Sequence, residues 1–169
     1  MKHKLYLFAS WAVRFSTLWL PESAAASKFR GSLYKLFLKH CGRNFQASST
    51  ARLLNLENIS LGDDVYFAPN VIINATADVN IASEVMIGFN SVVVTGNYMQ
   101  RNGSFRFGSV QSRPIKIGQG AWIGANCTVV AGAEIGCGVL VAANSAAKGH
   151  LDANWVYGGV PAKKIKYLG

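Results

Sequence analysis

Apolar residues recur at every sixth position through most of the C-terminal two-thirds of the chain. The longest unbroken column is Ile117, Ile123, Val129, Ile135, Val141 and Ala147. An α-helix has about 3.6 residues per turn and cannot keep every sixth residue on one side. A six-residue repeat does so when each unit forms one short strand and one corner of a parallel coil. This part of the chain is therefore predicted to be mainly β.

A second column, four positions after the first, contains only small or apolar residues. Its members are Ala121, Cys127, Ala133, Val139 and Ser145. In a parallel coil the aliphatic column stacks as a dry interior, and the small column lies where the chain bends and little room is left. Cys127 is thus interpreted as a small buried filler rather than a nucleophile. Glycines that follow aliphatic positions, such as Gly118 and Gly124, suit turn conformations that a Cβ atom would oppose.

The six-residue step extends back to Leu61, with a shift of two residues after Val79. It is recognisable at Val93 and again at Ile117, whereas the residues between them are rich in glycine and serine. Such a composition is typical of a loop. An extruded loop is therefore predicted at about residues 98–116, within a coil domain at 53–169.

The first 52 residues are predicted to form a separate amphipathic helical segment. Two helices are separated by Pro21. Their apolar faces, at alternating spacings of three and four, are Leu5, Phe8, Ala12, Phe15 and Trp19 in the first and Phe29, Leu33, Leu36 and Phe37 in the second.

The positive charge of the protein belongs to this segment. Residues 1–52 have a net charge of +8, and residues 53–169 have a net charge of +1. Two hypotheses remain open: the helices lie peripherally on an anionic membrane surface, or they pack on the coil or on a partner subunit. A nucleic-acid partner is disfavoured, because the aromatic residues lie on the apolar faces and not among the basic side chains.

Cysteine and histidine usage excludes several kinds of site. Three cysteines without CxxC spacing do not predict a disulfide framework or a zinc knuckle, and they favour a reducing, cytoplasmic compartment. His3 and His40 are interpreted as surface residues. No histidine lies between His40 and His150, so the neighbouring ligands that a zinc site on such a coil needs are missing, and no metal is predicted.

The segment AWIGANCTVVAGAEIG, followed by GGVPAKKIK, resembles the closing coils of the hexapeptide-repeat acyltransferases, in particular the sugar and polysaccharide O-acetyltransferases. The resemblance covers roughly residues 55–167. It implies a left-handed parallel β-helix, although the usual crossover rule is right-handed. It also implies a homotrimer, acetyl-CoA bound between neighbouring subunits, and an extruded loop that shapes the acceptor site. The expected activity is acetyl transfer to a sugar hydroxyl in polysaccharide or glycolipid biosynthesis, with a lipid-linked glycan as acceptor.

The resemblance fails at the general base. The family has a histidine directly after the turn that opens the loop, whereas here Thr95, Gly96 and Asn97 are followed by Tyr98. A phenol with a pKa of about 10 is deprotonated in about one molecule in a thousand near pH 7, so it is a poor unassisted base. Tyr98 is expected to orient an acceptor or to donate a hydrogen bond to the thioester oxygen. Asn97 beside it and His150 complete the set of catalytic candidates, although an exposed turn histidine is the simpler interpretation of His150.

The same resemblance assigns the donor site by position. Ala143 would present backbone groups to pantetheine, the turn with Gly159 and Pro161 would cover the cofactor, and basic residues would meet the phosphates. The expected cofactor-binding residues are Trp122, Ala143, Lys148, Gly159, Pro161, Lys163 and Lys166. Two alternatives remain: a catalytically impaired β-helix that binds CoA or a glycan as a scaffold, and an amino-sugar N-acetyltransferase.

Overall fold

A coil of short parallel strands makes up most of the molecule. The computed structural model describes residues 2–169, without the side chains of residues 2 and 3, so the prediction for His3 lies outside the described side chains. Two helices come first, α1 (Lys2–Thr17) and α2 (Ala24–Lys35). The coil that follows makes about six turns and includes one 3-10 turn, Leu56–Asn58. The predicted mainly β, parallel β-helix fold is confirmed.

Three parallel sheets form the faces of the coil. Sheet A contains β1 (His40–Cys41), β4 (Ile59–Leu61), β7 (Val79–Ile81), β12 (Ile115–Ile117), β15 (Glu134–Ile135) and β18 (His150–Leu151). Sheet B contains β2 (Gln46–Ala47), β5 (Tyr66–Phe67), β8 (Met86–Ile87), β13 (Trp122–Ile123), β16 (Leu140–Val141), β19 (Trp155–Gly158) and the antiparallel β20 (Lys163–Tyr167). Sheet C contains β3 (Arg52–Leu54), β6 (Ile72–Asn74), β9 (Val92–Val94), β14 (Thr128–Val129) and β17 (Ala146–Ala147). A hairpin of β10 (Gly96–Tyr98) and β11 (Val110–Ser112) leaves the coil after β9.

The strand register explains the six-residue columns. Each turn adds one strand to each sheet, and equivalent residues pair in parallel, as Ile81 does with Ile117 and Ile117 does with Ile135. The aliphatic column is therefore stacked inside the coil, and Ile123 and Val129 are fully buried. The members of the small column from Ala121 to Ser145 are buried as well. Burial of these two columns is the main source of stability for the coil.

Asparagine, not glycine, takes the left-handed conformation at the corner between sheets B and C. Asn126 and Asn144 have φ values of 55° and 60°. Gly118 and Gly124 have a different role from the one expected: a Cβ atom on Gly124 would lie 2.7 Å from the carbonyl oxygen of Val141 in the next turn. These glycines are thus required by the close approach of successive turns and not by their own backbone conformation.

The first turn of the coil lies within the range assigned to the helical segment. Strands β1, β2 and β3 occupy residues 40–54, and β3 pairs with β6 in full register. The inward residues of this turn, Cys41, Ala47 and Leu53, keep the six-residue step, but two of the three are not aliphatic side chains of the size found in the later column. The helical part accordingly ends at Lys35, earlier than residue 52.

Both helices cover the first turn of the coil: α1 packs on it with small residues and turns its large apolar residues away, whereas α2 also buries the large side chains of Arg30 and Tyr34. In α1 the buried residues are Ala9, Ser10, Val13 and Thr17, and the Ser10 hydroxyl donates a hydrogen bond of 2.5 Å to the carbonyl of Leu53. Helix α2 begins at Ala24, because the Ser23 side chain accepts a hydrogen bond from the Ala26 amide. Its buried residues are Ala26, Ser27, Arg30, Gly31 and Tyr34.

Arg30 links both helices to the coil. Its side chain is fully buried, and it donates to the Ala47 carbonyl at 2.6 Å and to the Thr17 hydroxyl at 3.1 Å. Nearby, Glu22 accepts hydrogen bonds from Ser48 and Ser49. Partial burial acts to raise the pKa of Glu22, but these hydrogen bonds and the charge of Arg30 outweigh it and hold the pKa below its usual value.

Gly31 sets the distance between α2 and the coil. A Cβ atom at this position would lie 1.9 Å from the carbonyl oxygen of Phe45. The helix can therefore approach the first turn this closely only with glycine here.

We expect Gly31→Ala to destabilise the protein by about 1–3 kcal/mol, because α2 must move away from Phe45. Helix propensity alone predicts the opposite sign, a gain of about 1 kcal/mol. Urea unfolding measures the difference. Ser32→Ala, on the exposed side of the same helix, is the matched control and should change the free energy of unfolding by less than about 0.5 kcal/mol. A neutral or stabilising Gly31→Ala would contradict the packing described here.

The three free thiols should differ in reactivity. Cys41 and Cys127 are buried, and burial raises the pKa of both thiols, whereas Cys137 is exposed. The Cys127 thiol also lies 3.1 Å from the Ala142 carbonyl, to which it donates a hydrogen bond.

We expect a thiol reagent at pH 8 to label Cys137 rapidly. Cys41 and Cys127 should be labelled at least about a hundredfold more slowly, since they react only when the structure opens locally. Cys137→Ser should remove the rapid phase; rapid labelling of Cys127 would overturn its assignment as a core residue.

Candidate functional site

The interruption in the repeat is an extruded β-hairpin. Strands β10 and β11 pair antiparallel, with Asn97 opposite Gln111 and Tyr98 opposite Val110. The chain leaves the coil after Thr95 and resumes its place at Ile115 in β12. Asn97 is exposed, unlike the small residues at equivalent corners, because the hairpin has carried it out of the coil.

A cluster of three hydroxyl groups fixes the base of the hairpin. Thr76, in the preceding turn, lies with its hydroxyl 2.7 Å from that of Ser112 and 3.1 Å from that of Thr95. The buried Thr95 hydroxyl also accepts a hydrogen bond from the Ala77 amide at 2.9 Å. Both strands of the hairpin are thereby attached to one residue of the coil, so the direction of the hairpin is defined where it begins.

The far end of the hairpin is closed by a tight turn. Arg101 and Ser104 exchange backbone hydrogen bonds of 2.9 and 3.0 Å, and Asn102 and Gly103 between them both have positive φ. This is the geometry of a two-residue hairpin turn, for which Asn-Gly is the favoured sequence. The loop is therefore an ordered element that can present side chains in fixed positions.

Tyr98 projects from this hairpin into solvent. Its side chain is 64% exposed, and Met99, Phe105, Phe107 and Val110 on the same excursion are exposed as well. The phenol is free to donate a hydrogen bond to an acceptor or to a thioester oxygen. Within one chain the hairpin is an open surface, which suits a site completed by a ligand or by a second copy.

His150 lies on the outer surface of sheet A, in an ion-pair cluster. Its Nδ1 is 3.8 Å from Glu134 and its Nε2 is 3.4 Å from Asp152. The hydrogen bond and charge of Lys116 lower the pKa of Glu134, and those of Lys164 lower the pKa of Asp152. Strand β18 is two strands beyond β12, where the coil resumes after the hairpin. The structure thus surrounds His150 with carboxylates and does not pair it with Tyr98.

Ala143 is a small, exposed residue at the corner between β16 and β17. The buried Ser145 hydroxyl that follows accepts a hydrogen bond of 3.0 Å from the Gly159 amide. The turn carrying Gly159 and Pro161 is attached there by two more hydrogen bonds, from Ala146 to the Gly159 carbonyl and from Ala162 to the Ala146 carbonyl. The small side chain of Ala143 leaves space at this corner for the amide-containing arm of a thioester donor.

Lys163 and Lys166 share one side of the last strand. They are three residues apart in sequence, but a shift in register leaves Ile165 unpaired. The two lysines therefore lie opposite Gly158 and Val156, which are two positions apart on β19 and on the same side of it. Lys164 is separate: it binds Asp152 at 2.7 Å and lies over the ring of Trp155 at 4.6 Å. Two exposed ammonium groups on one side suit the phosphates of a nucleotide. Lys148 is exposed at the next corner, beside Gly149, whose φ is 70°.

Trp122 belongs to an apolar ladder on the outer face of sheet B. It pairs with Met86 on one side and Leu140 on the other, and it is 48% exposed. Together with Tyr66 and Phe89 it borders a shallow groove of about 240 Å³. An exposed apolar face of this kind is typical of a surface that a ligand or another subunit covers.

The described residues contain no group of three or more His, Cys, Asp and Glu side chains placed to hold a metal ion. Sequence reasoning missed two features: the Thr76 hydroxyl cluster and the attachment of β20 through Asp152, Lys164 and Trp155. The first has a signal in the sequence, because Thr76 and Thr95 are separated by about one full turn of the coil. The second has none, since it depends on how the chain folds back after β19.

Known proteins resemble this chain in both sequence and structure. No protein-family model matches it. A protein named as a lipopolysaccharide biosynthesis O-acetyl transferase, WbbJ of Escherichia coli K12, is 33% identical over 117 residues, which are 60% of each chain. A protein named as a colanic acid biosynthesis acetyltransferase, WcaF of the same strain, is 27% identical over 157 residues, which are 92% of this chain and 84% of WcaF. The chain thus spans less than two-thirds of the first relative and most of the second.

The fold is shared with a hexapeptide-repeat-containing acetyltransferase of Vibrio cholerae, VCA0836. Its structure superposes with a TM-score of 0.87 at 21% identity, over 100% of this chain and 94% of that one. The structure of the same protein with acetyl coenzyme A superposes with a TM-score of 0.84 at 22% identity, over 98% and 88%. The repeat, the fold and the named relatives confirm the resemblance to the hexapeptide-repeat acyltransferases that was found in the sequence.

Proposed function

We propose that the protein transfers an acetyl group from acetyl-CoA to a sugar hydroxyl of a surface polysaccharide or glycolipid. The observation that carries the proposal is the small, exposed Ala143 corner, to which the Gly159 turn and the strand with Lys163 and Lys166 are joined by hydrogen bonds. The relatives named for lipopolysaccharide and colanic acid biosynthesis support the acceptor class. The solved acetyl-CoA complex of VCA0836, which has the same fold, supports the donor.

The reaction requires a proton to leave the acceptor as the new bond forms. The hydroxyl oxygen attacks the thioester carbonyl carbon, the carbon–sulfur bond breaks, and CoA leaves as the thiol after it receives the proton. A hydrogen-bond donor near the carbonyl oxygen stabilises the charge that develops there. In the proposal, Tyr98 supplies this donor or holds the acceptor hydroxyl, and the Asn97 amide positions the sugar from the same strand.

Donor binding uses three features of the last turns. The peptide groups around Ala143 bind the pantetheine arm, the turn with Gly159 and Pro161 covers it, and the ammonium groups of Lys163 and Lys166 bind the phosphates. Lys148 is proposed as a further phosphate contact, because Gly149 has no side chain to serve this purpose. Trp122 borders the groove and packs against the ligand or the neighbouring subunit.

The active unit is proposed to be a homotrimer. The apolar ladder of sheet B, with Met86 45% and Trp122 48% exposed, is a face that a second copy would cover. The hairpin, which stands away from its own coil, would then border the donor corner of the adjoining subunit. Tyr98 of one chain and Ala143 of another would meet in this arrangement.

A lipid-linked sugar is proposed as the natural acceptor, with the protein in the cytoplasm and peripheral at the inner face of the membrane. None of the helices within residues 2–169 is long and apolar enough to span a bilayer. The charge of +8 in residues 1–52 favours contact with an anionic lipid surface. Such a contact keeps the enzyme close to an acceptor whose carrier lipid stays in the membrane.

The test is acetyl-CoA turnover against lipid-linked sugars, free sugars and amino sugars, followed by release of the CoA thiol. We expect Tyr98→Phe to lower kcat/KM for the acceptor by about 10- to 100-fold, because it removes one aligned donor. His150→Ala, which changes the carboxylate cluster on sheet A, should retain activity within about threefold. The KM for acetyl-CoA should stay unchanged in both.

Other outcomes decide between the alternatives. A silent Tyr98→Phe with an inactive His150→Ala would overturn the site assignment and make His150 the base. Acetyl-CoA binding without turnover on any acceptor would favour the catalytically impaired scaffold. Preferred transfer to an amine would identify an amino-sugar N-acetyltransferase.

A further inference from the structure

Helix α1 presents a continuous apolar surface to solvent. The outward side chains of α1 and of the turn that directly follows it are between 53% and 80% exposed, and they are Leu5, Phe8, Trp11, Phe15, Leu18 and Trp19. The rings contact one another in sequence, with centroids 5.6 Å apart for Phe8 and Trp11 and 5.2 Å apart for Trp11 and Phe15. The coil is already packed against the opposite side of the helix through Ala9 and Val13. The aromatic surface therefore has no role in holding α1 on the protein.

A cation lies within this apolar surface. Arg14 borders an open pocket of about 220 Å³ together with Trp11, Phe15 and Leu18. Its Nε atom is buried and has no hydrogen-bond partner among the described residues. A guanidinium group walled by aromatic rings, with an unsatisfied donor, is suited to an anion whose other parts are apolar.

The helical segment that carries this surface is positively charged. Neither α1 nor α2 contains an acidic residue, and the single acidic side chain of residues 1–52, Glu22, accepts hydrogen bonds from Ser48 and Ser49. A second copy of the same surface would bring Arg14 and Lys4 against their equivalents, which disfavours pairing with itself. An anionic lipid surface complements both the charge and the apolar rings.

We propose that the outward face of α1 is a membrane-docking surface, in which Arg14 binds the phosphate of an anionic lipid while Trp11, Phe15 and Leu18 pack against its acyl chains. The inference rests on the membrane location proposed above and deepens it by naming the surface, its anchoring residues and the lipid group that they bind; this surface does not include any residue of the proposed acetyl-transfer site. The helix lies in the plane of the interface, since its coil-facing side is occupied and its length excludes a span.

The experiment uses the full chain and flotation with vesicles of phosphatidylcholine alone or mixed with phosphatidylglycerol. We expect binding to the mixed vesicles. Trp11→Ser combined with Phe15→Ser should weaken it by at least about tenfold, because two exposed rings no longer enter the bilayer. Arg14→Gln should weaken binding to mixed vesicles by about fivefold and leave binding to neutral vesicles unchanged. Leu168→Ser, at a 51% exposed apolar residue on the last segment, is the matched control and should bind as wild type.

Three further measurements distinguish lipid docking from a free-anion site, from self-association and from a failure of the proposed function. Inorganic phosphate, compared with chloride at equal ionic strength, should not compete with the vesicles; specific competition would identify a free-anion site and overturn the lipid assignment. Sedimentation should give one oligomeric state for wild type and the double variant. A changed state, or unchanged vesicle binding, would overturn the docking surface. Acetyl transfer to a water-soluble acceptor should be equal in all variants, so that loss of docking and failure of the proposed function are distinguished.

Discussion

The structure depends on one constraint: each turn of the chain must return to a position about 4.8 Å from the turn before, with its backbone hydrogen bonds in register. Equivalent side chains then stack on one another. A side chain that is too large for its position collides with the next turn. The stacked column from Ile117 to Ala147 fills the interior. Gly124 is explained by the same constraint, because a Cβ atom there meets the carbonyl of Val141 in the next turn. The proposed site uses two places where the regular stacking is interrupted or ends: the hairpin after Thr95 and the last turns of the coil.

A stacked coil also has an open end, which the helices cover. Because α1 and α2 must approach the first turn closely, α1 contacts it through small residues, α2 contacts it through Arg30 and Tyr34, and Gly31 allows the approach to Phe45. The large apolar residues of α1 are consequently on the outside. The aromatic surface of α1 is thus a consequence of how the coil is capped, and it is available for an interaction that the coil does not need.

The sequence predicted most of the coil, because its period is imposed by the stacking itself. The resemblance to hexapeptide-repeat acyltransferases and the fold class were confirmed. The first turn, residues 40–54, was not predicted, since its six-residue step is formed by Cys41, Ala47 and Leu53 and is weaker than the aliphatic column that follows. The apolar face of α1 was identified, but the face that packs is the small one, because periodicity alone cannot distinguish a packed from an exposed face. The hydroxyl cluster of Thr76, Thr95 and Ser112 depends on contacts between turns. The roles of Tyr98, His150 and the lysines of β20 stay predictions, because they depend on a ligand and on neighbouring subunits.

The central claim is that the corner at Ala143 accommodates the acyl donor. Calorimetric titration of acetyl-CoA into the full chain tests it most directly, with wild type compared with Ala143→Trp and with Ala153→Trp, an exposed alanine at the corner between sheets A and B. The account predicts that the wild type binds about one donor per chain. Binding should be at least about a hundredfold weaker in Ala143→Trp, because the indole fills the corner. It should be unchanged in Ala153→Trp, and all three proteins should have the same oligomeric state. Undiminished affinity in Ala143→Trp, or no binding to the wild type, would contradict it.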